Sequence, residues 1–155
     1  MAVPATKRGE TAMLYISNAE QLAAHIYRFV IVLSKRYSHA ISDQLLQHSE
    51  EVVYHCRAAN KVYVTDDATF EQRRSHLVEA NSHLLHVESL LAVLCKMEMQ
   101  VSAESGGKVK PPSESRYRGF AEMIEREYKL LAGCKSRDRQ AYNKHKQAAG
   151  SGSIA

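Results

Sequence analysis

The stretch FEQRRSHLVEANSHLLHVESLLAVLCKMEM, Phe70 to Met99, decides the fold class because its apolar residues recur every three or four positions. One seam along a helix contains Phe70, Leu77, Ala80, Leu84, Val87, Leu91 and Leu94. A second set widens that seam and consists of Val78, Leu85, Ala92, Cys95 and Met99. A stripe this broad packs against more than one neighbour. The stretch therefore predicts a long helix within an assembly of helices.

The same spacing predicts two helices before this one and one after it. SKRYS, residues 34–38, separates the first two as a turn or a kink, and the second runs to about residue 63. The N-cap candidates are Asn18 for the first helix, Asp66 or Asp67 for the third, and Ser113 or Ser115 for the fourth. Together these segments predict an all-α, antiparallel four-helix bundle over residues 18–135.

Both ends of the chain lack this periodicity. Residues 1–17 are predicted to be a flexible N-terminal segment. Gly133 is a candidate helix end, and KSRDRQAYNKHKQAAGSGSIA beyond it has no apolar repeat and finishes in glycine and serine. Residues 136–155 are therefore predicted to form a basic, disordered tail.

Composition and motifs exclude several classes of protein. The three cysteines are far apart and form no CxxC pair, so the sequence indicates neither a disulfide framework nor a zinc knuckle. The first residues lack the apolar run of a signal peptide, and the longest apolar stretch, FVIVL, is too short to span a bilayer. We therefore expect a cytoplasmic protein without membrane contact. Phosphate loops, dinucleotide fingerprints and nucleophile elbows are missing from the sequence.

Eight histidines raise the question of a metal site. Two sets fall near single helical faces: His48, Glu51 and His55, and Glu79, His83 and His86. Di-iron bundles instead use Glu-x-x-His pairs with further glutamates, and no carboxylate on the first or fourth helix matches that pattern. We therefore predict surface or interior histidines, with no metal and no cofactor.

Positive charge is concentrated in the last third of the chain. Residues 1–107 carry 10 basic and 12 acidic groups, whereas residues 108–155 carry 11 basic and 5 acidic groups. Such a field attracts polyanions. The cations that we predict to contact nucleic acid are Lys35, Arg36, Arg57, Lys61, Arg73, Arg74, Arg116, Arg118, Lys129, Lys135, Arg137, Arg139, Lys144 and Lys146.

Three tyrosines, Tyr117, Tyr128 and Tyr142, are interleaved with these cations and are candidates for stacking on bases, although the first two also fit the core.

Two alternatives remain open. Arg139 and His145 fit the loose Arg-(four to six residues)-His pattern and resemble the motif of HEPN-type ribonucleases. The bundle could also be a protein-interaction module in which the basic tail is incidental.

Three stretches resemble one known family: LSKRYSHAISDQLLQHSEEVVYHCRAAN, FEQRRSHLVEANSHLLHVESLLAVL and FAEMIEREYKLLAGCKSRDR. They are similar to helices of the Avd proteins, accessory proteins of diversity-generating retroelements that are related to proteins of ribosomal RNA intervening sequences. The resemblance covers roughly residues 18–139. Ser34 stands where the family commonly has proline, and Cys134 where it commonly has tryptophan.

The resemblance implies a non-enzymatic, basic four-helix bundle that assembles as a ring-like pentamer. It also implies two partners, a reverse transcriptase and sequence-independent RNA or DNA, during mutagenic cDNA synthesis.

Overall fold

The computed structural model describes residues 13–152, which form an all-α four-helix bundle without strands. The helices are α1 (Leu14–Val32), α2 (Lys35–Lys61), α3 (Asp67–Glu104) and α4 (Glu114–Ser151). Each helix packs against the next, and α4 closes the bundle against α1. The predicted fold class is therefore confirmed. No helix in the described part of the chain has the length and hydrophobicity needed to cross a bilayer.

The connections follow local sequence chemistry. The side chain of Ser34 caps α2 by accepting a hydrogen bond from the backbone N–H of Arg36. Asp66 and Thr69 form a reciprocal capping box at the start of α3. Ser113 caps α4. The first connection is therefore a tight turn at Leu33 and Ser34, and residues 35–38 of SKRYS already belong to α2. The N-caps predicted for the third and fourth helices are confirmed.

The core contains the seam that the sequence predicted for α3. All seven of its members are buried, and all except Phe70 pack with apolar residues from the other three helices. Phe70 stacks instead on Tyr142 of α4. The widening set behaves differently, because Val78, Leu85 and Met99 remain exposed. Within a single chain the α3 stripe is therefore only partly covered.

Helix α1 begins at Leu14, whereas the sequence predicted flexible residues as far as position 17 and an N-cap at Asn18. Asn18 is buried inside the helix, and its Nδ2 donates hydrogen bonds to Glu127 Oε2 at 2.7 Å and to the Met123 carbonyl at 3.2 Å. Asn18 is therefore not an N-cap. Its amide instead supplies a hydrogen bond to a buried polar group, the carboxyl of Glu127 on α4. Residues 1–12 of the predicted segment lie outside the described residues.

Helix α4 also differs from the prediction, because it continues past Gly133 to Ser151 where a disordered tail was expected from residue 136. Side chains spaced four apart attach this extension to the start of α3. Asp138 binds Arg73, Tyr142 stacks on Phe70 at 4.3 Å between ring centroids, and Lys146 lies 3.2 Å from Asp67. Residues 153–155 lie outside the described part of the chain.

Glu127 is a fully buried carboxyl group on α4. Burial raises its pKa from 4.5 to about 7, although the amide of Asn18, the thiol of Cys56 at 3.7 Å and the charge of Arg126 act in the opposite direction. The folded protein therefore binds a proton at this site over a pH range in which the unfolded chain has already released it.

This shift predicts that the bundle loses stability as pH rises from about 4.5 through about 7. The difference corresponds to about 3 kcal/mol of unfolding free energy at most. Glu127→Gln removes the titrating group but keeps an amide oxygen to accept from Asn18. Thermal melts from pH 4.5 to 8.5 should show that this variant gains stability over the natural chain at high pH only. If the two proteins differed in melting temperature by the same amount at pH 4.5 and at pH 8.5, the assignment of this proton to Glu127 would be contradicted.

Candidate nucleic-acid interface

The predicted cations form two groups at opposite ends of the bundle. At one end α1 finishes while α2 and α4 begin, with Phe29 and Phe120 in edge-to-face contact at 5.4 Å. The cations there are Lys35, Arg36, Arg116 and Arg118. At the other end α2 finishes and α3 begins, and the second half of α4 packs beside them. Lys129 lies between the two ends. The cations of this group are Arg57, Lys61, Arg73, Arg74, Lys135, Arg137, Arg139, Lys144 and Lys146.

Arg73 is part of the interior and is unsuited to phosphate contact, contrary to the sequence prediction. Its Nε donates to Asp138 Oδ2 at 2.6 Å, its Nη1 to the Ala59 carbonyl at 2.9 Å, and its Nη2 to the sulfur of Cys134 at 3.5 Å. Both charged side chains are more than four-fifths buried. The guanidinium thus joins α2, α3 and α4.

Three other predicted cations pair with carboxylates at exposed positions. Arg57 contacts Glu20, Lys129 contacts Glu125 at 3.0 Å, and Lys146 contacts Asp67. Exposed pairs contribute little stability, so a phosphate chain can replace such carboxylates at small cost. The remaining ten predicted cations have no carboxylate within salt-bridge distance among residues 13–152.

The second half of α4 carries the most uniform positive charge. Residues 128–152 contain six cations and a single carboxylate, Asp138, which is bound to Arg73. Arg126, Lys129, Arg137 and Lys144 are exposed and recur at helical spacing along α4, away from its buried residues. From Lys129 to Lys144 this stripe extends about 22 Å along the helix.

A second basic feature is a pocket of about 460 Å³ between α1 and α4. Arg116 lies over the ring of Phe29 at 5.5 Å, and Arg28 and His25 line the same pocket. Arg28 was not among the predicted cations, because only the packing of α1 against α4 brings it beside Arg116.

The three tyrosines proposed as base-stacking residues are engaged within the bundle. Tyr117 donates to Glu98, Tyr128 donates to Glu88 at 2.6 Å, and Tyr142 is stacked on Phe70. By contrast, Tyr63 in the α2–α3 connection is 83% exposed and lies two residues after Lys61. No sequence signal indicated this exposure, because Tyr63 stands between Val62 and Val64 at the end of the predicted second helix. Tyr63 is therefore the better aromatic candidate for contact with a base.

Arg139 and His145, the ribonuclease-like pair, do not share a face of α4. Six residues correspond to a rotation of about 240° around a helix. His145 lines a groove of about 410 Å³ with Arg73 and Asp138, whereas Arg139 is exposed on a different side. Within one chain the two side chains do not converge on a common reacting atom.

The two histidine sets, by contrast, are brought together where α2 packs on α3. Burial lowers the pKa of His48, and the neighbouring His86 and His83 lower it further. Burial also lowers the pKa of His55, and His76 adds to this effect. The sequence showed each helical face but not that the two faces meet. Among the described residues, two groups of three side chains could hold a metal ion: His48, His83 and His86, and Glu51, His55 and His83.

Comparisons with known proteins identified no relative. No family model matches the chain, and no match was found among curated proteins or solved structures. The similarity to Avd proteins therefore stays a prediction based on the three quoted stretches.

Proposed function

We propose that this chain is a non-enzymatic accessory protein that binds RNA or DNA through the second half of α4 without sequence preference. The observation that carries the proposal is the charge of residues 128–152. This segment contains six cations and a single carboxylate, Asp138, which is bound to Arg73. Phosphate chains that contact such a surface release condensed counterions, which favours binding whatever the base sequence. The exposed ring of Tyr63 adds a stacking surface near this end of the bundle.

The resemblance adds a setting, namely a diversity-generating retroelement whose reverse transcriptase is the protein partner during mutagenic cDNA synthesis. A cytoplasmic location belongs to the same proposal, and the three free cysteines are typical of a reducing compartment.

Binding of short fluorescent oligonucleotides tests the nucleic-acid role. Single-stranded RNA and DNA of two unrelated sequences should bind at low salt with affinities that differ little between sequences. Failure to bind any of them, or strong preference for one sequence, would contradict the proposal. A deletion of residues 136–155 is a poor variant here, because it removes Asp138 and Tyr142, which pack against α3.

Assembly into a homo-oligomer, with five copies by the resemblance, is part of the same proposal. Val78, Leu85 and Met99 are exposed at intervals of seven or fourteen residues along α3, with Ala92 between the last two. Residues seven apart lie on the same side of a helix, so these side chains form an apolar line that the single chain leaves uncovered. A second copy is the occupant that the proposal assigns to it.

Leu85→Glu is expected to dissociate the oligomer, because it places a charge in the middle of this apolar line. Mass measurement in solution should give the mass of one chain for the variant and a multiple for the natural protein. Ile31→Glu is the matched control, since Ile31 is also exposed but lies on α1. A single-chain mass for the natural protein, or equal dissociation by both substitutions, would exclude this interface.

The protein-interaction module is the second candidate function, and the uncovered apolar line on α3 favours it. It predicts partner binding without nucleic-acid binding, so the oligonucleotide experiment separates the two. The HEPN-like ribonuclease predicts RNA cleavage that Arg139→Ala or His145→Ala abolishes. We expect no cleavage by the natural protein.

A further inference from the structure

Histidines and glutamates from two antiparallel helices form a cluster where α2 packs on α3. Each helix contributes a Glu-x-x-x-His pair, Glu51 with His55 on α2 and Glu79 with His83 on α3. Glutamate and histidine four residues apart lie on the same side of a helix. Because the helices run in opposite directions, the two pairs face each other across the interface.

The ring nitrogens are arranged around one carboxylate oxygen. His55 Nε2 lies 3.4 Å and His83 Nε2 4.0 Å from Glu51 Oε2. The ligand atoms of these three residues all lie within 4.8 Å of one another. Zinc–nitrogen and zinc–oxygen bonds near 2.1 Å place neighbouring ligands of a tetrahedral ion about 3.4 Å apart. The first distance equals that value, and the second needs a shift of about 0.6 Å.

The opposite nitrogen of each imidazole is held by a further histidine. His55 Nδ1 lies 3.0 Å from His76 Nδ1, and His83 Nδ1 lies 3.0 Å from His48 Nδ1. If His55 and His83 bind a metal through Nε2, their Nδ1–H groups donate to these two partners. An outer hydrogen bond of this kind fixes the tautomer and orientation of a ligating histidine, and it is typical of protein metal sites.

We propose that Glu51, His55 and His83 bind a divalent transition-metal ion of the zinc class, with His76 and His48 as outer partners. A carboxylate and two imidazoles are a donor set that zinc accepts, and the fourth position takes water or Glu79, whose Oε2 lies 4.0 Å from His83 Nε2. The His55 and His83 side chains are mostly buried and Glu51 is partly exposed, so an ion can enter from solvent. The bound ion would join the middle of α2 to α3.

Metal binding can be measured directly on the full chain, produced without a histidine tag and treated with a chelator before use. Titration calorimetry with zinc chloride should show one ion bound per chain. Cobalt(II) should give the visible absorption of a tetrahedral complex, which zinc then abolishes. A zinc concentration 100 times the dissociation constant should raise the melting temperature, because the ion binds the folded state.

Substitutions distinguish ligands from outer partners. Glu51→Gln and the double variant H55N/H83N should lose the cobalt spectrum and the thermal shift. His76→Ala should keep the stoichiometry but bind about 10- to 100-fold more weakly. The matched control is His39→Asn, since His39 is an exposed α2 histidine outside the cluster, and it should bind as the natural chain does.

Three results would overturn the proposal. These are absence of stoichiometric binding to the natural chain, unchanged binding in H55N/H83N, and binding lost equally in His39→Asn. Failure of the double variant to fold, seen by circular dichroism, would leave Glu51→Gln and the cobalt spectrum of the natural chain to decide.

Discussion

Replacing Arg137, Arg139 and Lys144 together by glutamine is expected to weaken RNA binding about a hundredfold near 0.1 M salt. Each lost phosphate contact on a single strand removes about 0.7 from the slope of log affinity against log salt, which gives about two decades for three contacts. All three side chains are exposed and free of carboxylate partners among the described residues, so the fold should be unaffected. Fluorescence anisotropy with a labelled single-stranded RNA measures the change.

The matched control replaces Lys96, Lys108 and Lys110 by glutamine. These lysines are also exposed, and replacing them removes the same amount of charge. They lie, however, towards the end of the bundle where α3 finishes. The control should lose much less affinity than the α4 variant. Equal losses would mean that net charge alone determines binding, and the assignment to α4 would then be wrong.

The second large effect concerns stability. Arg73→Ala is expected to lower the free energy of unfolding by about 3 to 5 kcal/mol, because it leaves the mostly buried carboxylate of Asp138 without its partner. It also removes the hydrogen bond to the Ala59 carbonyl that attaches α3 to the end of α2. Urea unfolding followed by circular dichroism gives the value.

Arg74→Ala is the control, because Arg74 is the neighbouring arginine and has no salt-bridge partner among the described residues; it should cost less than about 1 kcal/mol. The double variant R73M/D138L should be more stable than Arg73→Ala, since it removes both charges together. Equal destabilisation by Arg73→Ala and Arg74→Ala would show that the Arg73 contacts do not stabilise the bundle.

The fold class followed from sequence because the relevant signals are local. The apolar spacing of α3 and the caps at Asp66 and Ser113 depend on residues within a few positions of one another. The extension of α4 was missed for the opposite reason. Asp138, Tyr142 and Lys146 are polar or amphipathic, and their contacts are with residues about seventy positions earlier in the chain. A periodicity search restricted to apolar residues cannot detect them.

The same distinction explains the sites. Cations can be counted in a sequence, but whether Arg73 meets solvent or Asp138 depends on how α3 and α4 pack. The role of Asn18 changed from cap to buried partner because Glu127 lies opposite it on another helix. The histidine cluster likewise exists only where the faces of α2 and α3 meet. Long-range packing therefore decides which polar residues remain available for function.

The most direct measurement for the central claim is the salt dependence of RNA binding by the natural chain. Six cations on residues 128–152 predict a slope of about −4 for log affinity against log salt concentration on a single strand. A slope near that value, reduced by about 2 in the Arg137, Arg139 and Lys144 variant, is the expected result. A slope near zero, or no binding at low salt, would contradict the claim that α4 binds phosphate chains.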